Sequence, residues 1–166
     1  MARAAEFRID WVLVHELAVG PAPGLPRHLD RLAAEGFAAV LSLCGVDEAA
    51  PPPGLEQRFR CRRVVLPDHR SPREPLLAEL QQALAELAEL RRFGPVFVHC
   101  VAAVERSPLV CMAWLVRERG LTTQGALDYL MQVHPGTNPL PRQLALLRQL
   151  ALQNANDAKP SADVQA

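Results

Sequence analysis

Only one lysine, Lys159, occurs among the 166 residues; the other cations are arginines, and together they equal the carboxylates, for a net charge of +0. No global field therefore points to nucleic acid or to a membrane as partner. The preference for arginine reads as compositional drift rather than function. Long apolar runs are missing too, so no stretch approaches the length of a membrane span. The opening MARAAEFRIDWVLVHE is broken by Glu6, Arg8 and Asp10, which argues against a secretion signal. The four cysteines, Cys44, Cys61, Cys100 and Cys111, form no CxxC pair. Zinc-type ligation is thereby disfavoured, no metal or cofactor is expected, and free thiols in a reducing cytoplasm are the simplest expectation. No internal repeat and no second domain are visible.

What is present is an ordinary globular balance, 49% apolar and 22% charged, in a chain long enough to bury a real core. RIDWVLVHELAVG reads as one or two strands closed by a Gly20–Gly24 turn. LPRHLDRLAAEGF is a helix with Leu25, Leu29, Leu32 and Ala33 on one face, ended at Gly36. Short strands are expected over 38–44, 58–66 and in PVFVHC. The cleanest helix, PLLAELQQALAELAELRRF, carries Leu76, Leu77, Leu80, Leu84, Leu87 and Leu90 as a stripe and stops at Gly94. SPLVCMAWLVRERG is a mostly apolar and hence central helix. TTQGALDYLMQVHPG is another, capped by Thr122 or Thr123, and PRQLALLRQLALQ is a last one opened by Pro141. Strands alternating with helices imply a single α/β domain, a mostly parallel central sheet flanked by helices, over residues 1–153. The polar residues 154–166 are expected to form a disordered tail.

VHCVAAVERSPLV stands apart, because it places a thiol and a guanidinium between an apolar strand and an apolar helix. Ligands of open α/β sheets bind at such strand ends. A run of backbone N–H groups entering a helix N-terminus makes an anion cradle, and such electropositive surroundings favour a cysteine thiolate. Arg106 can fold back over the hollow, its planar fork matching two phosphoryl oxygens. Ser107 can donate its hydroxyl to the sulfur of Cys100. Together these describe a phosphate-shaped pocket with a nucleophile at its floor.

His99-Cys100-x5-Arg106-Ser107, between strand and helix, resembles the signature loop of the cysteine-dependent protein tyrosine phosphatases, and the short chain is similar to the dual-specificity branch from about Leu17 to Leu150. The resemblance implies a phosphatase acting on a phosphorylated protein or a small phosphoester through a cysteinyl-phosphate. Val101, Ala102, Ala103, Val104 and Glu105 then form the phosphate-binding loop; His99 either orients the cysteine through hydrogen bonds or is a satisfied core histidine. The family also takes an aspartate from an upstream loop as general acid. Asp68 in LPDHRSP fits, with Asp47 and Glu48 as competitors, His69 as a weak substitute, and a turn-capping role as the plain alternative. Some family members hold a second cysteine that pairs with the nucleophile; Cys44, ending LSLC, matches that position, against a plain role as a small buried hydrophobe.

Two residues depart from the family pattern. Ala103 stands where glycine is usual, and a Cβ in a left-handed conformation costs roughly 1–2 kcal/mol. Glu105 is a carboxylate inside an anion-binding loop, expected to face solvent or an arginine. Both keep open a phosphate-binding module with little turnover. A sulfur-transfer or arsenate-type thiol enzyme, which needs no Asp68, is a third possibility. The loop adds no cation, which favours a substrate with a single phosphate over a polyphosphoinositide. Arginines 58, 60, 62, 63, 70 and 73 are either an attractor for an acidic partner or a solvated strand face. Neither the physiological substrate nor the oligomeric state is legible.

Overall fold

The structure, a computed structural model, describes residues 6–158. β1 (Asp10–Leu13) and β2 (Leu17–Gly20) form an antiparallel hairpin in which Asp10 faces Val19 and Leu13 faces Leu17. α1 (Pro26–Ala34) follows, with Pro26 in its first turn and Leu29 and Leu32 buried. Gly36, at φ 87°, turns the chain into β3 (Ala39–Ser42). A four-residue helical turn, α2 (Leu55–Arg58), leads into β4 (Arg60–Arg63). Then come α3 (Leu77–Arg91), β5 (Val96–His99), α4 (Arg106–Arg119), α5 (Thr123–Val133) and α6 (Pro141–Asp157).

The strands lie in the order β1-β2-β5-β3-β4, and every pairing but β1–β2 is parallel. Strand alternation splits the core in two. Leu17, Val19, Ala39, Leu41, Val96 and Val98 face α3 to α6, in one cluster with Leu84, Leu87, Val110 and Leu147. Ala18, Val40 and Phe97 face the other way, onto Leu29, Leu32, Phe7 and Phe37. The expected α/β architecture is therefore present, with β5 at the centre and its carboxyl end opening toward α4. Every residue of α4 from Arg106 to Val116 is buried, which agrees with its apolar sequence. Thr122 is the cap of α5, its side chain accepting from the Gly125 amide at 3.0 Å.

Four expectations need correction. Leu76 does not join the α3 stripe: it precedes the first turn and is 60% exposed, while Leu80, Ala83, Leu84, Leu87 and Leu90 are buried. Leu25, likewise just ahead of α1, is 41% exposed. The strand expected over 58–66 is shorter, because Arg58 closes α2 and parallel pairing with β3 ends at Arg63. The disordered tail expected from Asn154 is not seen in its first residues: α6 carries Asn154 to Asp157 as helix, and residues 159–166 lie outside the described residues.

Candidate active site

β5 is buried on both faces, so the chain leaving it at Cys100 starts from a fixed point, and α4 fixes where it must arrive. Between them, four loop carbonyls are tied outward. His99 Nδ1 donates to the Cys100 carbonyl at 3.0 Å. The Ala22 amide donates to Val101 at 3.1 Å and the Asn138 amide to Val104 at 2.9 Å. His134 Nε2 donates to Ala103 at 2.6 Å. In a trans peptide the next N–H points opposite to the carbonyl. The amides of Val101, Ala102, Val104 and Glu105 are thereby turned toward a hollow of about 290 Å³, which Cys100, Val101, Ala102, Val104, Glu105 and Arg106 line. Ala103 sits at φ 59°, the left-handed conformation its sequence position raised as a question.

Cys100 forms part of the wall of that hollow, and its sulfur is 3.2 Å from the Ser107 hydroxyl. His99 is buried, and burial pushes it down to about 4, so the ring is neutral. Its Nδ1–H serves the Cys100 carbonyl, leaving Nε2 to accept from Ser42 Oγ at 2.7 Å. That bond anchors the Cys100 backbone to β3. Arg106 reaches across with its side chain only 4% exposed. Nη2 and Nη1 grip Glu48 at 3.0 and 3.2 Å, and Nη1 also donates to the Leu66 carbonyl at 3.1 Å. Burial works against the guanidinium's charge, but the Glu48 hydrogen bond and the negative groups around it raise its affinity for the proton. Arg106 in turn holds the Glu48 carboxyl below the usual carboxylate range, despite partial burial. Among the described residues, Nε of Arg106 is the one buried side-chain N or O atom without a partner. A charged donor left so is costly, about 1–3 kcal/mol or more, unless something in the hollow accepts from it.

Asp68, His69 and Arg70 close the hollow from above. Burial would push the Asp68 carboxyl up, yet hydrogen bonds from the Arg70 side chain and amide, both at 2.9 Å, outweigh it and hold it low. Its Oδ2 stands 3.9 Å from Arg106. The loop itself is pinned twice. Arg142 of α6 donates to the Asp68 carbonyl at 2.8 Å. The His69 amide donates to Glu105 Oε1 at 2.7 Å, with the His69 ring 3.4 Å from the same carboxylate. Glu105 thus faces neither the solvent nor the arginine that the sequence suggested, but latches the 101–105 loop to the loop holding Asp68 and His69.

Cys100, Arg106, Asp68, His99, Ser107 and the 101–105 loop are all brought together. Cys44 is buried at the end of β3; burial raises its thiol, against the pull of Arg106. Cys111 is core, and burial pushes its thiol up strongly. Cys61 is half-buried and donates weakly to the Phe59 carbonyl at 3.4 Å. Glu48, weighed from sequence only as a rival acid, is the clamp on Arg106. Ser42 and Arg142 carried no sequence signal, because their partners are distant in the chain; Arg70, two residues from Asp68, stood in the sequence only as one of a group of arginines. Each arginine of the 58–73 group already has a partner: Asp30, the Phe93 ring, Glu86, the Cys44 carbonyl, Asp68 and Glu79.

Comparison with known proteins agrees with this geometry. The sequence pattern described as "Dual specificity phosphatase, catalytic domain" matches residues 26–153, and the chain belongs to that family. Human dual specificity phosphatase 28 is 33% identical over 105 residues, a match covering 62% of this chain and 58% of that protein's length. A mutant form of Tk-PTP superposes with a TM-score of 0.77 at 26% identity, covering 89% of this chain and 97% of that one. PTPMT1 in complex with PI(5)P shares the fold, with a TM-score of 0.80 at 18% identity over 91% of this chain and 99% of that one.

Proposed function

We propose that this chain hydrolyses phosphate monoesters through a phosphate carried on Cys100. The sulfur of Cys100 attacks phosphorus while the ester P–O bond breaks, and Asp68 gives its proton to the departing oxygen. Arg106 and the inward amides hold the equatorial oxygens as charge moves onto them. Water then attacks the phosphocysteine, Asp68 takes the proton, and the S–P bond breaks. Ser107 stabilises the returning sulfur anion. His99 orients the nucleophile and does not exchange protons with substrate. The observation that carries this reading is the buried, unpartnered Nε of Arg106, whose residue lines one hollow with Cys100; it is a donor that an equatorial phosphoryl oxygen would satisfy.

The substrate class we assign is a single phosphate on a tyrosine, serine or threonine of a protein, or on a small phosphoester. Residues 101–105 add no cation, and Glu105 adds a carboxylate, which disfavours polyphosphorylated ligands. We take residues 1–153 as the catalytic unit. No described helix is long and apolar enough to cross a membrane; the four free cysteines fit a reducing compartment, and on that ground we assign the chain to the cytoplasm. Cys44 follows β3 two residues after Ser42, whose register partner His99 directly precedes Cys100, so it is our candidate to capture an oxidised Cys100 as a disulfide.

Hydrolysis of a generic aryl phosphate tests the proposal. The parent protein should turn over, Cys100→Ser should not, and Asp68→Asn should be strongly impaired. Phosphate binding without turnover in the parent would favour a binding module, for which the left-handed Ala103 is the supporting observation. Full activity of Asp68→Asn would favour a thiol chemistry that needs no acid.

A further inference from the structure

Of the four donors that hold the loop carbonyls outward, two are backbone amides and one is the neutral ring of His99. The fourth, His134, is different. It follows α5 directly and is wholly buried. Its Nε2 lies 2.6 Å from the Ala103 carbonyl and its Nδ1 lies 2.5 Å from Asp10 Oδ2. A carbonyl oxygen only accepts. Asp10 in turn faces the Arg8 guanidinium at 3.1 Å, so its carboxylate is ionised and also only accepts. Arg8 Nη2 stands 3.4 Å from Nδ1, a long contact beside the 2.5 Å from Nδ1 to Asp10 Oδ2, and its short bond goes to the Pro135 carbonyl at 2.5 Å. The other groups bonded to this residue, the Thr137 hydroxyl and amide and the Leu130 carbonyl, meet its backbone and not its ring.

A ring with an acceptor at each nitrogen satisfies both only when each nitrogen carries a proton. We infer that His134 is an imidazolium held between Asp10 of β1 and the Ala103 carbonyl, and that this pair is a positioning device for the phosphate-binding loop. The inference deepens the phosphatase reading and rests on it. Its physical content is the peptide plane between Ala103 and Val104. With the carbonyl drawn to His134, the Val104 N–H must face the hollow. Ala103 needs such a hold, because a non-glycine residue at φ 59° persists only where its surroundings over-determine it. A charge-assisted bond is about twice as strong as a neutral one. β1, on the sheet edge, is in this way connected through one side chain to the site at the sheet centre.

Two measurements on the full chain test this. The first is a long-range proton–nitrogen correlation of ¹⁵N-labelled imidazole rings at neutral pH, with His134→Gln used for assignment. Both nitrogens of His134 should be protonated; a neutral tautomer overturns the inference. The second is Asp10→Asn, a near-isosteric change at a partly exposed position whose amide can donate to Nδ1 and so permits a neutral ring. There the Nδ1 proton should be lost. The kcat/KM for an aryl phosphate should fall at least about tenfold, less than the 10²–10³ typical of deleting an oxyanion donor outright. Inhibition by inorganic phosphate should weaken in parallel, with the thermal unfolding transition still cooperative. Unchanged kcat/KM and unchanged phosphate inhibition in Asp10→Asn overturn the positioning role. Failure of the parent protein to hydrolyse aryl phosphates would instead count against the phosphatase reading, and the nitrogen spectrum would still decide the state of the ring.

Discussion

At the scale of single residues, Ala103 holds a left-handed backbone, φ 59°, while carrying a Cβ. Replacing it with glycine removes a left-handed penalty of roughly 1–2 kcal/mol and gives back about 0.5–1 kcal/mol of chain entropy in the unfolded state. Ala103→Gly should therefore be modestly more stable, by about 0.5–1 kcal/mol on this difference, in urea unfolding with an unchanged slope. Destabilisation would mean that the Cβ packs favourably where it stands, buried against the core. Cys100, Arg106 and Ser107 were readable from sequence because the motif is contiguous. Glu48 was not, since its role depends on meeting a guanidinium 58 positions away. Nor was the destination of Glu105, which only the approach of the acid loop defines.

At the scale of elements, the Asp68 loop and the 101–105 loop are two segments held together by arginines and carboxylates. Arg70 keeps the Asp68 carboxyl low. A general acid must be protonated to act, so a lowered Asp68 places the alkaline limb of the kcat/KM profile at low pH. Arg70→Ala should move that limb upward, by a modest amount because Arg70 is 64% exposed and screened by solvent. An unmoved limb would remove Asp68 from the acid role. Glu48 has a stability counterpart. Its folded-state affinity for a proton is depressed by Arg106, so its contribution is present above the unfolded value, near 4.3, and is lost as pH falls through the lower folded value. Glu48→Gln should flatten the loss of stability on acidification, measured by urea unfolding at successive pH values. Helices and buried strands were legible here because period and burial coincide. Leu25 and Leu76 misled because a helical repeat continues on paper past the residue where the helix begins. β4 misled because its length is set by pairing with β3, not by its own pattern.

At the scale of the whole molecule, the fold is a two-sided sheet whose central strand delivers a thiol to the mouth of a buried helix. Its stability rests on the α3–α6 side of the core, so Leu84→Ala, at a fully buried position, should cost about 2–5 kcal/mol without altering the chemistry of the refolded fraction. Equilibrium unfolding together with activity per folded molecule checks this. The fold class was legible because strand–helix alternation and the loop motif agree; the hold of β1 on the loop was not, since it passes through a single buried histidine. The central claim is that Cys100 carries the phosphoryl group. Acid quenching of Asp68→Asn during turnover of an aryl phosphate, followed by mass spectrometry of the peptide holding residues 100–106, tests it directly. The account predicts one phosphoryl group on Cys100, lost in Cys100→Ser. Turnover by the parent protein with no such adduct on this peptide would contradict it.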